Sequence, residues 1–264
     1  MKAKKKVILI VAIVIAVIVL AGVVLLGIYF LAPKSDAKYV AHMGYSKAHL
    51  GNTEEAFTAA AEMGFYGMET DIRKTADGVF VCNHDETVKF ADGDEKPVSD
   101  STYAELAVKP LKNTKSDEES YLCTFVRYLE ICKSGDKVAV IELKEDFSSA
   151  DILLILATID AVYDREHVSV ISFFFDPLLR IKEIDPSVDL QYLSETKNDP
   201  IFDRCLEEKV SIDVRQSILT GKMVRTFHAE GLTVNTWTVN KEFDHNIVRI
   251  KGVDYITTDV FCEE

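Results

Sequence analysis

Eight short apolar runs, separated by helical patterns, pace this chain and limit it to few folds. The runs are Tyr39–His42, Tyr66–Ile72, Val79–Asn83, Val138–Leu143, Val168–Phe174, Leu190–Leu193, Val210–Val214 and Thr233–Val239. Strand-length runs alternating with helices read as repeated βα units, and eight parallel strands close a barrel. The expected fold is therefore of the α/β class, a (β/α)8 TIM barrel. Several polar residues fall at the C-terminal ends of these runs, where such a barrel gathers its working groups. They are His42 in VAHMG, Glu69 and Asp71 in GMETDIR, His84 in VFVCNHD, and Glu142 and Lys144 in VAVIELK.

The helices between the runs carry their own signals. Asn52 with Glu55 fits an N-cap with an acid three positions on, and Thr220 opens a helix that closes near Gly231. The stretch Asp85–Leu122 breaks the rhythm. It is polar, with one short helical candidate at Thr102–Leu106, and reads as a long loop inserted after the third strand, over the barrel mouth.

Ahead of the first strand the chain runs apolar from Val7 to Leu31, 25 residues without a charge, behind Lys2, Lys4, Lys5 and Lys6. A bilayer core needs about 20 apolar residues in a helix. A cleaved signal would show an apolar region of roughly 7–15 residues and a small-residue cleavage site, which this run lacks. The expected organisation is a cytoplasmic basic tail (1–6), one transmembrane helix (7–31), a linker (32–38) and a barrel (39–264). Under the positive-inside bias the lysines stay in the cytoplasm, and the barrel lies outside the cell membrane.

The whole chain carries a net charge of −13, so without its four leading lysines residues 33–264 carry −17. That balance argues against nucleic acid and against tight docking on anionic lipid. The five cysteines, Cys82, Cys123, Cys132, Cys205 and Cys262, are odd in number and form no C-x-x-C pair. Neither a disulfide framework nor thiolate zinc is expected.

Glu69 and Asp71 are two apart in a strand and point to one side, as do Glu142 and Lys144. Three converging carboxylates repel unless a cation joins them, and an all-oxygen set favours Mg²⁺ or Ca²⁺, with Mn²⁺ also fitting. Such an ion accepts a phosphoryl oxygen, Lys144 adds a point charge, and His42 and His84 offer an acid and a base near neutral pH. Taken singly, an E-x-D pair or a strand-end histidine has ordinary structural explanations; the conjunction at one end of the barrel points to attack on a phosphate. Trp237 in VNTWTVN is either core or a stacking wall for substrate. His49, His167, His228 and His245 read as surface residues.

The segments AHMGYS, GNTEEAF and GMETDIRKTADGVFVCNHDETV resemble the glycerophosphodiester phosphodiesterases, whose pattern runs HRG, PENT, AF, E-x-D, T-x-DG and HD. The likeness continues through YLEICKSGDKVAVIELK, VISFFFDPLLRIKEI, AEGLTVNTWTVN and GVDYITTD. It implies a barrel hydrolase that releases an alcohol and glycerol 3-phosphate. By motif position it implies His42 and His84 as the acid–base pair and Glu69, Asp71 and Glu142 as ligands of a divalent cation. Lys144, Trp237 and the residue at position 43 would contact a glycerophosphodiester or lysolipid-type substrate. Two positions depart from the pattern: Met43 stands for the arginine of HRG, and Leu50-Gly51 stand for the proline and glutamate of PENT. A more distant resemblance, to the sphingomyelinase-D-like phospholipases with HM at the first strand, implies a lipid phosphodiesterase. A binding barrel that has lost turnover is the non-enzyme alternative.

Overall fold

A computed structural model describes residues 2–261, with side chains from Lys6 onward. Cys262 lies outside the described residues, as do Met1, Glu263, Glu264 and the side chains of Lys2, Lys4 and Lys5.

Among the described residues the strands are β1 Lys38–Ala41, β2 Gly67–Lys74, β3 Phe80–Cys82, β4 Thr87–Lys89, β5 Glu95–Pro97, β6 Val138–Leu143, β7 Val168–Ser172, β8 Asp189–Ser194, β9 Ser211–Arg215, β10 Val234–Trp237 and β11 Tyr255–Thr258. The helices are α1 Lys2–Leu31, α2 Glu54–Ala61, α3 Tyr103–Ala107, α4 Phe125–Ser134, α5 Ser149–Val162, α6 Phe175–Ile184, α7 Ile201–Glu207, α8 Gly221–Ala229 and α9 Glu242–Lys251. Strands β1, β2, β6, β7, β8, β9, β10 and β11 pair in parallel in that order, and β11 returns to β1. The barrel is closed, a (β/α)8 TIM barrel as expected.

Its membership differs from the sequence expectation at one strand. The run around Val79–Asn83 does form β3, but β3 pairs antiparallel with β2, register Ile72 to Cys82. The eighth barrel strand is instead β11, a short run ending in Thr257 and Thr258. Strand β2 overshoots the mouth, and β3 folds back along the overshoot, so Asn83 N–H donates to Asp71 O at 2.9 Å. That return brings His84 to the level of the β2 carboxylates.

The insertion is likewise more than a loop. Strands β4 and β5 pair as a hairpin, Thr102 caps α3 through a capping box, and Val81, Val88, Phe90, Val98, Leu106, Leu111 and Leu122 form a buried cluster of their own. Full burial of each such side chain is worth about 1.5–3 kcal/mol, which makes the insertion a folded unit on the mouth.

The main core lies between strands and helices, with Phe57, Met68, Ile141, Ile155, Leu178 and Phe227 buried. Inside the barrel a smaller cluster of Val40, Val140, Ile171 and Leu193 plugs the lumen below the mouth. The helices carry caps at Thr53, Thr124, Ser148 and Thr220. Thr53, not Asn52, caps α2, because Asn52 is turned inward. His245 is buried on α9 against the Tyr39 ring rather than exposed. Cys82, Cys123, Cys132 and Cys205 are buried free thiols.

Helix α1 is apolar and exposed along the stretch Lys6–Leu31, long enough to cross a membrane. The connector after it is fixed to α9: Ser35 Oγ donates to Val253 O at 2.7 Å, and Arg249 Nε donates to Ser35 O at 2.9 Å.

Candidate active site

The turn after β1 sets the site. Met43 and Gly44 both have positive φ, 53° and 74°. A side chain at Gly44 would place its Cβ 2.6 Å from the Ala56 carbonyl carbon, so only glycine fits. The left-handed turn aims the Met43 N–H at Glu69 Oε2, 2.8 Å away. Asn52, at φ 62°, donates its N–H to Met43 O at 3.0 Å and its amide Nδ2 to Asp71 Oδ2 at 2.6 Å. Its Oδ1 accepts from Thr70 Oγ1 and from the Asp71 N–H, at 2.8 and 3.3 Å. Backbone held in such sparsely populated conformations is characteristic of functional loops.

The carboxylates follow from strand register. Asp71 on β2 pairs with Glu142 on β6, and Glu69 shares the side of β2 that Asp71 occupies. One oxygen from each of Glu69, Asp71 and Glu142 lies within 4.8 Å of the others. Lys144 Nζ is 2.8 Å from Glu142 Oε1 and 3.4 Å from Asp71 Oδ1. Burial, then the charge of Asp71, pushes Glu69 well above the usual carboxylate range and Glu142 up to about 7. A single ammonium does not neutralise three acids. Glu142 Oε1, though close to Lys144, is buried and outside hydrogen-bonding geometry. This donor set fits a hard divalent cation, which would let all three acids ionise.

His42 follows β1 directly. Its Nδ1 lies 2.7 Å from Asp259 Oδ1, just beyond β11. Asp259 also accepts from Ser46 Oγ at 2.9 Å and Asn240 Nδ2 at 2.5 Å. Burial alone would lower the His42 pKa, but the Asp259 hydrogen bond and the charges of Glu69, Asp259 and Asp71 outweigh it and raise it to about 9. Burial alone would raise Asp259, but His42, Asn240 and Ser46 bring it down to about 2. His84 is more exposed. Its Nδ1 is 3.0 Å from Asp85 Oδ1, and its carbonyl accepts from the buried Arg73 at 3.2 and 2.9 Å.

Two cavities meet at the imidazoles. One, of about 280 Å³, is lined by Glu69, Glu142, Lys144, Phe173, Trp237 and Asp213 together with both histidines. Trp237, at the end of β10, meets Phe173 edge to face with ring centroids 5.8 Å apart, so it walls the cavity while packing on the lumen cluster. The other, of about 340 Å³, opens toward the insertion and is lined by Met43, Leu50, Gly51, Leu111, Lys112 and Lys115 with the same two histidines. The structure thus gathers His42, His84, Glu69, Asp71, Glu142 and Lys144 at one mouth with Trp237, and places the Met43 side chain in the second cavity. The sequence pattern singles out neither Asp259, Arg73 nor Asp213, and it points to Asn52 only as a helix cap. Asp259 lies in the TTD that ends the chain's resemblance and Asn52 in GNTEE, but neither sequence shows which distant side chain it meets.

The profile of the glycerophosphoryl diester phosphodiesterase family matches residues 42–262. The chain belongs to that family. It is 28% identical over 226 residues to a glycerophosphodiester phosphodiesterase of Caldanaerobacter subterraneus, covering 83% of this chain and 93% of that one. A glycerophosphodiester phosphodiesterase from Parabacteroides distasonis shares the fold at a TM-score of 0.73 and 26% identity, over 86% of this chain and 94% of that one. An Oleispira antarctica phosphodiesterase, solved in complex with the product sn-glycerol-3-phosphate, superposes at a TM-score of 0.75 and 20% identity, over 88% and 94%.

Within this family the two departures in the motifs prove to be neighbours. A Cβ at Gly51 would lie 2.9 Å from Met43 Cβ and 3.3 Å from its Sδ and Cε. Met43 therefore lies over the glycine, and position 51 has no room for a glutamate while the turn keeps this form. Glu54 pairs instead with Arg127 at 2.5 Å on the surface.

Proposed function

We propose that the barrel hydrolyses glycerophosphodiesters to an alcohol and glycerol 3-phosphate, with Glu69, Asp71 and Glu142 holding a divalent cation, Mg²⁺ or Ca²⁺ by donor type. The observation that carries this reading is three buried carboxylates within 4.8 Å beside Lys144, bracketed by two histidines that open on both cavities. When bound, the cation supplies charge for a phosphoryl oxygen. Lys144 adds a second positive charge for that phosphate and balances the acids around it. With Nδ1 held by Asp259, His42 presents Nε2 as its proton-exchanging nitrogen. His42 and His84 share the two proton transfers, one taking the nucleophile's proton and the other protonating the leaving oxygen. Trp237 and Phe173 supply an apolar wall for the glycerol carbons.

Loss of the motif's arginine and glutamate favours a second reading, a site attenuated on small substrates or redirected to lysolipids. The purified full chain, assayed in detergent against glycerophosphodiesters and lysolipids, separates these: release of alcohol and glycerol 3-phosphate from the glycerophosphodiesters supports the first reading, and release of alcohol and lysophosphatidate from the lysolipids alone supports the second. No release from either leaves a binding barrel.

We further propose that Val7–Leu31 is an uncleaved single-pass anchor, residues 1–6 cytoplasmic and the barrel outside. Its support is the charge-free apolar helix behind the lysines.

A further inference from the structure

The second cavity holds a charge pattern that the reaction above leaves unused. The barrel side of the chain is acidic, with residues 33–264 at −17, yet Lys89, Lys112 and Lys115 all line this cavity. Its two acids are engaged. Asp259 is taken by His42, Ser46 and Asn240, and Asp85 is taken by His84 and Lys89, the latter at 2.7 Å. Lys112 and Lys115 form no ion pair among the described residues. The acids beside them in the sequence do not answer them either: Glu118 turns to His49 at 3.1 Å, and Asp117 and Glu119 form no ion pair among the described residues. Lys109, the third lysine of this stretch, is engaged by Asp92 and Asp94 at 2.7 and 3.0 Å, away from the cavity. Two exposed lysines with no ion-pair partner among the described residues therefore line a hollow whose apolar lining is Met43, Leu50 and Leu111.

The position of this hollow decides what it would hold. His42 and His84 stand between it and the carboxylate cavity, so a phosphodiester between the imidazoles places one ester arm in each. The glycerol arm belongs beside the carboxylates and Trp237, which leaves the departing alcohol to the lysine-lined side. We propose that this cavity is a leaving-group subsite for an anionic alcohol, one that carries a further phosphate beyond the scissile bond, as in a glycerol phosphate chain. The proposal rests on the hydrolytic reading of the site. Lysine ammonium groups bind phosphate as point charges without fixed geometry, and unpaired cations in an acidic domain concentrate anions locally. A cationic choline is disfavoured by the same groups.

The test compares kcat/KM of the full chain on glycerophosphoglycerol, its terminally phosphorylated form and glycerophosphocholine. Exposed lysine contacts are worth up to about 5-fold each, so the phosphorylated substrate should lead the neutral one by roughly 5- to 30-fold at low salt. That lead should shrink as ionic strength rises. K112Q/K115Q should bring the ratio of the two rates close to one, whereas K109Q should leave the ratio unchanged. A wild-type preference for the neutral or choline substrate, or a ratio that survives K112Q/K115Q, overturns the subsite. If none of the three is hydrolysed, the glycerophosphodiesterase reading on which this subsite rests fails, and calorimetric titration with the same compounds still judges the charge preference. Tighter binding of the phosphorylated form that K112Q/K115Q abolishes supports the subsite, and equal binding refutes it.

Discussion

Asn52 is the residue whose replacement tests the geometry of the site most sharply. It gives one hydrogen bond to the Asp71 carboxylate at 2.6 Å, accepts two more, and sits at φ 62°. A hydrogen bond to a charged group contributes about 1.5–3 kcal/mol and a neutral one about 0.5–1.5. Asn52→Gly removes these bonds but accepts the left-handed backbone, at a cost of about 3 kcal/mol after partial replacement by water. Asn52→Ala loses the same bonds and adds about 1 kcal/mol of backbone strain. For a domain of this size the glycine variant should melt about 6–12 °C below wild type, and alanine about 2–4 °C lower still. Metal affinity, read by calorimetry, should fall about 10- to 100-fold in both, since Asn52 orients Asp71, one of the three proposed ligands. The order of the two variants is the decisive reading. Alanine as stable as glycine would remove the backbone argument, and undiminished metal affinity in both would mean that Asn52 does not hold Asp71 in place.

Four further outcomes are expected. His42→Ala and His84→Ala should each lower kcat by about 10²–10⁴, and a near wild-type rate would exclude that histidine from proton transfer. Asp259→Asn removes the group that most raises His42, so the His42 limb of the pH profile of kcat/KM should move to lower pH; an unmoved limb would refute the pairing. The same pair contributes to stability in a defined window. The His42 share is whole below its ordinary 6.5 and is lost as pH rises through about 9; the Asp259 share is whole above its ordinary 3.8 and is lost as pH falls through about 2. The difference in melting temperature between wild type and Asp259→Asn should therefore be largest between about pH 4 and 6.5. Protease added to intact cells should digest the barrel and spare an N-terminal tag, and protection of the barrel until lysis would reverse the orientation.

Much of this site was legible because its chemistry lies at strand ends. The alternation of apolar runs placed His42, Glu69, Asp71, Glu142 and Lys144 at one mouth, since a parallel barrel leaves strand C-termini nowhere else to go. What periodicity does not carry is the direction of a strand's partner. Phe80–Cys82 reads as a strand and is one, but it returns antiparallel along β2, while the true closing strand Tyr255–Thr258 is short and ends in two threonines. His84 reached the mouth by that return, not as the end of a barrel strand. Asn52 and Thr53 are both capping residues, and the demand of Asp71 for a donor settles which of them caps α2. Asp259 meets His42 across 217 residues of chain, a contact that no local pattern announces.

The central claim is that three buried carboxylates work by holding a divalent cation. It is tested most directly by stripping the purified full chain with chelator and titrating Mg²⁺, Ca²⁺ or Mn²⁺ back while following glycerol 3-phosphate release. The account predicts no turnover in the stripped protein and recovery that saturates at one ion per chain, with Glu142→Gln needing a much higher metal concentration. Full turnover in excess chelator would contradict it.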